Sequence, residues 1–532
     1  MPTALESLYL CINPARYHYL KFILEAYDGL CLLSTVPGRK GSVCIRYPRE
    51  QTKTLFSLLA SLADSLKPDT LYLKRNNNNK TSMFSKSFFI KTFGCQMNER
   101  DSEIMAQLLS EKGYIETSES DDADLIILNT CSIRAKAEQK VMSLLGVLRK
   151  HKKRKPALKI CVAGCVAQQE GRKIIERMPH VDLVVGTQNI YQLAELLEDI
   201  EKPSVVTALA DDYHIPAFIP DLKTGNESGT QPQVFKKFLT IMQGCNNYCT
   251  YCVVPYTRGR EVSRSVEHIL KEAHSLVEGG VREITLLGQN VNSYGKTNTV
   301  MAGNSSYSFS DLLRAVAEVP GLQRLRFTTS NPKDLSDDLM RCFAEVDILC
   351  PQFHLPVQSG SNRILSLMNR KYSRELYLEK VSALRSYCPE IAITTDMIIG
   401  FPGETDKDFA DTMSLLEEVH YHGSYSFKYS DRPGTRSAGF EDKVEESVKA
   451  ERLLTFQTRQ DAISLEHNRS YIGKNFSIMI EKSDKNSIVG RTGTNHLVHI
   501  PESGTNCRPG DLLTAHIVHA GHHSLTGQLK AL

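Results

Sequence analysis

No stretch of the 532-residue chain approaches the roughly 20 uninterrupted apolar residues of a membrane-spanning helix, and no membrane association is expected. The opening residues, MPTALESLYLCINPARYHYL, show neither a basic start with a long apolar run nor a small-residue cleavage site. A secretory signal is therefore not expected, and a cytoplasmic location is. Charge of one sign is scarce too: 64 Lys and Arg against 61 Asp and Glu leave +3, too little to argue for nucleic acid by itself. What is present is 41% apolar and 23% charged, a balance that buries a sizeable core. At roughly 150 residues per domain the length suggests about three or four domains. Fourteen cysteines in a reducing compartment read as thiols, and those in regular spacing as metal or redox ligands before disulfides.

Residues 1–75 read as strand, helix, two strands and helix, a small α/β module. Cys11, Cys31 and Cys44 fall inside its apolar strands, where buried structural thiols are expected. The polar stretch around Asn76–Asn79 makes 76–87 a linker. From Phe88, apolar strands alternate with helices through SFFIKTFG, DADLIILNT, ALKICVAG and VDLVVGT, which implies a Rossmann-like parallel sheet over 88–202. Residues 203–233, rich in Pro, Gly, Asp and Thr without periodicity, read as an inter-domain connection. Six further strand units over 234–467, from FKKFLTIMQG to SYSFKYS, suggest an open or partial (β/α) barrel with its chemistry at the C-terminal strand ends. Short strands and turns over 468–532 suggest a small β-barrel.

The most specific signal is Cys245, Cys249 and Cys252 in QGCNNYCTYC, just after the first barrel strand. Three thiolates at this spacing suit three irons of a 4Fe–4S cluster and leave the fourth open. S-adenosylmethionine (SAM) can chelate an open iron through its amino and carboxylate groups, so that an electron cleaves its sulfonium to a 5′-deoxyadenosyl radical. The alternative is a zinc knuckle, which favours paired CxxC units. A second signal depends on the strand assignment. Cys95 follows FFIKTFG, Cys131 follows LIILNT and Cys165 follows ICVAG, each at the end of a successive parallel strand, where the ends face one crevice. A second cluster with an open iron follows; three unrelated buried thiols are the alternative. Cys161, within a strand, reads as core.

From about Phe88 to the C-terminus the chain resembles the radical-SAM methylthiotransferases. The resemblance is carried by FIKTFGCQMNERDSE, LNTCSIRAKAEQKV, AGCVAQQEG, QGCNNYCTYCVVPYTRGREVSR, LLGQNVNSYG, FHLPVQSGSN, TDMIIGFPGET and FKYSDRPGTR. GQNVNSYG is similar to the branch acting on tRNA isopentenyladenosine. The resemblance implies an α/β multidomain enzyme: a methylthiotransferase N-terminal domain, a radical SAM barrel and a terminal TRAM barrel, with the 1–75 module as an addition. It also implies two 4Fe–4S clusters, two SAM per product, tRNA carrying N6-isopentenyladenosine as partner and a low-potential electron donor; a monomer is expected. One SAM would methylate sulfur held at Cys95, Cys131 and Cys165, while the other, cleaved at Cys245, Cys249 and Cys252, would activate C2 of the adenine. No catalytic side chain beyond the cluster ligands is expected. The alternatives are the same chemistry on threonylcarbamoyladenosine or a ribosomal protein, and a tRNA-binding iron–sulfur sensor.

Gly288, Gln289 and Asn290 end the second barrel strand, where many radical SAM proteins contact the methionine part of SAM, and the glycine would permit close backbone approach. An ordinary turn is the alternative. Ser330, Gln358 and Asp396 end later strands and are further SAM-contact candidates, against a helix-capping role. Asn331 stands where many relatives carry His, a departure that touches one active-site contact. Arg258, Arg260 and Arg264 read either as contacts to SAM or substrate phosphate or as solvated surface. Arg149 to Lys155, RKHKKRK, reads as a phosphate contact or a solvated helix end. The terminal barrel, with seven Lys or Arg against four Asp or Glu, is the expected RNA holder.

Overall fold

A computed structural model describes residues 86–532, apart from 133–134, 199, 221–233, 299, 303–304, 485–486, 502–506 and 531–532. Before residue 86 it describes three strands and a few single positions. The chain divides into two compact units, Met1–Phe84 and Ser85–Leu532. In the first, strands Leu5–Cys11, Leu32–Thr35 and Ser42–Pro48 form an antiparallel sheet with the last strand central. Leu20, Leu24, Val43, Ile45 and Leu55 close a small core of their own. The helices expected there, the Asn76–Asn79 segment and the Cys11, Cys31 and Cys44 side chains lie outside the described residues.

The second unit opens with a six-stranded, all-parallel sheet. Its central strand, Leu125–Thr130, is buried throughout, as befits a strand covered on both faces. Apolar clusters around Phe88 and Ile127 on one side and Leu128 and Val162 on the other provide that cover. The edge strand Ser204–Val206 falls inside the stretch read as a connection, and Phe218, further along that stretch, is buried against the core. Three residues are too few to show a period of two, so this strand has no sequence signature.

Six parallel strands follow: Lys236–Thr240, Glu283–Leu287, Arg324–Phe327, Gln352–His354, Ala392–Ile399 and Gly423–Lys428. They form two three-stranded sheets, joined where Leu325 pairs with Leu349. Among the described residues no pairing joins the first strand to the sixth, so the barrel is open. A buried ion triad locks the sheet domain to it. Arg100, on helix Gln96–Glu111, and Arg264, before helix Val266–Glu278, both pair with Glu272 of the latter helix. All three side chains are nearly or wholly inaccessible, and Arg100 also lies over the Phe218 ring at 4.9 Å.

Five strands close the C-terminal barrel, with Leu497–Pro501 and Leu525–Leu529 paired in parallel. It docks on the N-terminal ends of the large barrel's strands. Arg324, at the start of the third strand, donates to the carbonyls of Arg491 at 2.6 Å and Ser477 at 2.9 Å. Arg326 donates to those of Gly493 and Thr492, both at 2.9 Å, and Lys236 pairs with Glu481 at 2.8 Å.

Histidines from both barrels and the helix joining them, Glu446–Arg469, meet at this junction. His422 stacks on His467 with ring centres 3.8 Å apart and lies 6.1 Å from His496. Burial, reinforced by the neighbouring histidines, lowers His422 to about 2 and His496 to about 4. Both fall below the unfolded value near 6.5, so their contribution to stability is complete above that pH and is lost as pH falls towards the folded values. Each should cost about 1.4 kcal/mol per pH unit below that point. We expect the thermal midpoint at pH 5.5 to lie several degrees below that at pH 7.5, with the difference shrinking in a His422→Gln/His496→Gln chain; an undiminished difference would locate the titration elsewhere.

Candidate functional site

At the C-terminal ends of the large barrel's strands lies a cavity of about 700 Å³, lined jointly by the barrel and the parallel-sheet domain. Cys95 and Cys165 reach it from the sheet and Cys245, Cys249 and Cys252 from the barrel. Cys131 lies immediately behind, hydrogen-bonded to Cys95. The structure thus gathers all six cysteines singled out in the sequence at one place.

Glycine sets three of these positions. A β-carbon on Gly94 (φ +120°) would stand 2.2 Å from that of Cys131 and 2.7 Å from its sulfur, so glycine is what admits Cys131 beside the loop carrying Cys95. A β-carbon on Gly244 (φ +81°) would stand 2.0 Å from the Arg260 carbonyl oxygen. Gly164, before Cys165, also has positive φ. The repeated Gly–Cys step in TFGC, VAGC and MQGC is a signal that reading by strand ends missed. Cys95 then N-caps helix Gln96–Glu111, and Cys165 begins the short helix Cys165–Glu170.

The thiols differ electrostatically. The Cys131 hydrogen bond, opposed by burial and helped by the Arg258 charge, lowers Cys95 to about 6. Burial raises Cys165, pushes Cys245 to about 11 and Cys252 to about 12. Arg370 donates to Cys249 Sγ at 3.4 Å and to the Pro356 carbonyl at 3.0 Å, which places a fixed cation against a barrel thiol. Cys161 is fully buried in its strand and its thiol is raised by burial, the behaviour of a core residue. Among the described residues no three His, Cys, Asp or Glu side chains are grouped to hold a single metal ion.

The remaining candidates separate. Gln289 and Ser330 line the cavity, and both the Gln289 amide nitrogen and the Ser330 hydroxyl are buried without a partner. Gln289 spends its carbonyl on the Gly244 N–H, which steadies the residue before Cys245. Gln358, at φ +77°, and Asp396 also line it; the Asp396 carboxylate lies 3.5 Å from His354 Nε2. Gly288 lines it too, but a β-carbon there would strike the Met242 side chain at 2.4 Å, so internal packing already requires glycine. Asn290 stands away from the lining and donates to Asp334 at 2.8 Å. Asn331 lines the cavity and caps the turn Pro332–Asp334 by accepting from the Lys333 N–H at 3.1 Å, a position asparagine favours.

Two of the three arginines after the cluster loop are buried rather than solvated. Arg264 belongs to the Glu272 triad and donates to the Thr240 carbonyl. Arg258 lines the cavity and pairs with Asp101 at 2.7 Å; only Arg260 is exposed. Of the basic run, Lys152 pairs with Asp182 and Lys155 with Asp124, while Arg149, Lys150, Lys153 and Arg154 face solvent.

Three family models match the chain. "Uncharacterized protein family UPF0004" covers residues 87–186, "Radical SAM superfamily" residues 239–416 and "Domain of unknown function (DUF4911)" residues 10–65. A protein of Desulfotalea psychrophila named tRNA-2-methylthio-N(6)-dimethylallyladenosine synthase is 62% identical over 84% of this chain and 99% of its own. A protein of the same name from Syntrophobacter fumaroxidans is 47% identical over 85% and 97%. Among solved structures, the radical SAM methyltransferase TsrM of Kitasatospora setae, with cobalamin and a 4Fe–4S cluster bound, aligns with a TM-score of 0.47 at 13% identity, over 66% of this chain and 77% of that one.

Proposed function

This chain belongs to the tRNA-2-methylthio-N6-dimethylallyladenosine synthases, a family of radical-SAM methylthiotransferases, and from that premise we infer that it methylthiolates C2 of N6-isopentenyladenosine next to the anticodon of tRNA. The observation that carries this reading is the convergence of five cysteines from two domains on one cavity, with Cys131 hydrogen-bonded to Cys95 immediately behind. We assign Cys245, Cys249 and Cys252 to the SAM-cleaving 4Fe–4S cluster and Cys95, Cys131 and Cys165 to the cluster that carries sulfur. The donor set fits such groups: soft thiols in threes, and unpartnered buried polar atoms on Gln289, Ser330 and Ser132 facing the same space. When bound, the clusters and SAM supply the radical and the sulfur that an unreactive aromatic C–H bond demands.

The chain's own residues bind and orient. Gln289, Ser330 and Gln358 are assigned to the polar end of SAM. Asp396 is assigned to its amino group or to the adenine. Arg370 fixes the Cys249 side chain through its sulfur. Lining from both domains shields the cavity from bulk water, which would otherwise quench a radical. The small barrel is assigned as a TRAM domain that grips tRNA; a low-potential electron donor, a monomeric state and a cytoplasmic location complete the reading. Among the described residues no helix is long and apolar enough to cross a membrane.

Anaerobic reconstitution with SAM, reductant and tRNA, followed by mass spectrometry of digested nucleosides, tests this directly. The expected product is 2-methylthio-N6-isopentenyladenosine. Methylthiolated threonylcarbamoyladenosine instead, or modification of a ribosomal protein alone, would move the substrate. Failure to form 5′-deoxyadenosine would leave an iron–sulfur sensor.

A further inference from the structure

Arg258 is the last residue of the short helix Val254–Arg258, which follows Cys252 in the barrel. It is 3% exposed and reaches across the domain boundary. One terminal nitrogen, Nη2, donates to Asp101 Oδ2 at 2.7 Å and to Asn98 Oδ1 at 3.3 Å. Both acceptors sit on the helix capped by Cys95. The other, Nη1, is buried without a hydrogen-bond partner, and the residue lines the cavity. A guanidinium carries five N–H donors in a fixed fork, and a buried donor left unpaired is costly. With Nη2 clamped, the guanidinium still reaches the Cys165 thiol, with which the Arg258 side chain is hydrogen-bonded.

Which anion it serves follows from its neighbours. The Arg258 charge acts on Cys95 and Cys165, whereas the cation acting on Cys249 and Cys252 is Arg370. Arg258 thus acts on two of the sheet cysteines and Arg370 on two of the barrel cysteines. RNA phosphates, which stay at the protein surface, are out of reach of so deeply buried a group. We propose that Arg258 Nη1 holds the small anionic sulfur ligand, sulfide or methanethiolate, carried beside Cys95, Cys131 and Cys165. The domain that generates the radical thus lends the donor that secures the sulfur for the other. This rests on reading those three cysteines as the holders of a sulfur-carrying cluster. A charge-assisted hydrogen bond of this kind is directional, so Arg258 would also fix where the sulfur points.

The test uses the full chain with both clusters reconstituted, with SAM affinity measured first in a separate titration and SAM then held saturating. Sulfide and methanethiolate are titrated separately into the unsubstituted protein, Arg258→Gln and Arg258→Lys, and binding is read from the electron paramagnetic resonance signal of the reduced clusters. Iron is measured in each. The expected result is a dissociation constant for both sulfur anions raised at least tenfold in Arg258→Gln and less in Arg258→Lys, with SAM affinity changed less than threefold. A rise for methanethiolate alone still supports the assignment and names the methylated form as the ligand held. Unchanged affinity for both anions with about eight irons retained would overturn it. So would a loss of SAM affinity as large as that of sulfur, which would give the guanidinium to the SAM carboxylate. If Arg258→Gln loses iron, Arg258→Lys decides on the same criterion. Iron near four in the unsubstituted chain would instead overturn the two-cluster reading, and the assignment with it.

Discussion

Replacing Cys245, Cys249 and Cys252 by alanine is expected to abolish 5′-deoxyadenosine formation completely, while the same replacement of Cys95, Cys131 and Cys165 is expected to leave SAM cleavage in place and to abolish the methylthiolated nucleoside. The asymmetry follows from where each triad stands. The first is carried by the barrel loop steadied through Gly244 and Gln289, beside the polar atoms assigned to SAM. The second is carried by the parallel sheet, with Arg258 facing it across the boundary. Chromatography of the nucleoside products, alongside iron analysis of each variant, checks both halves. Methylthiolated tRNA from the second variant, or 5′-deoxyadenosine from the first, would show the assignment of triads to be wrong.

A different kind of loss is expected at Glu272. It neutralises both Arg100 and Arg264, and none of the three is accessible to water. Glu272→Gln leaves the buried Arg264 guanidinium without its counter-charge and Arg100 with only Glu103 at 3.3 Å, and breaking a buried pair in this way costs about 3–5 kcal/mol. The denaturation midpoint should fall accordingly, and the sheet domain should become more susceptible to proteolysis. Replacing all three together with Met, Leu and Met is expected to recover much of the loss, since well-packed apolar groups often match a buried ion network. A decrease under 1 kcal/mol for Glu272→Gln would mean that the triad is solvated in solution.

Both cysteine triads were legible because the chemistry coincides with a local pattern. A CxxxCxxC is visible within eight residues, and cysteines after three apolar runs come to one place once the runs are read as parallel strands. The partners of Arg258 and Arg264 were not legible, because Asp101 and Glu272 reveal nothing of their counterparts until the domains are packed. Sequence weighed both arginines as contacts to SAM or substrate phosphate or as solvated surface, and packing makes them interior. Gly288 has a second reason to be glycine that its position beside the cavity did not reveal, because Met242 fills the space a β-carbon would take. Asn290 was grouped with Gln289 by adjacency, yet its side chain serves Asp334 instead of lining the cavity. The edge strand Ser204–Val206 escaped because three residues carry no period.

If the small barrel grips tRNA as proposed, its placement makes the enzyme a gauge of its substrate's length. It meets the feet of the strands through Lys236, Arg324 and Arg326, whereas the thiols gather at their heads. The eight-residue strand Ala392–Ile399 alone rises about 25 Å between those ends. The cavity begins at Asp396, four residues above the foot of that strand, so a nucleoside inserted among the thiols lies on the order of 13 Å or more from any RNA held by the small barrel. A free nucleoside is too short to touch both, while a folded stem-loop can straddle the wall between them. On that reading, selection of tRNA over the isolated modified base needs no extra contact at the base itself; it is built into the thickness of the barrel.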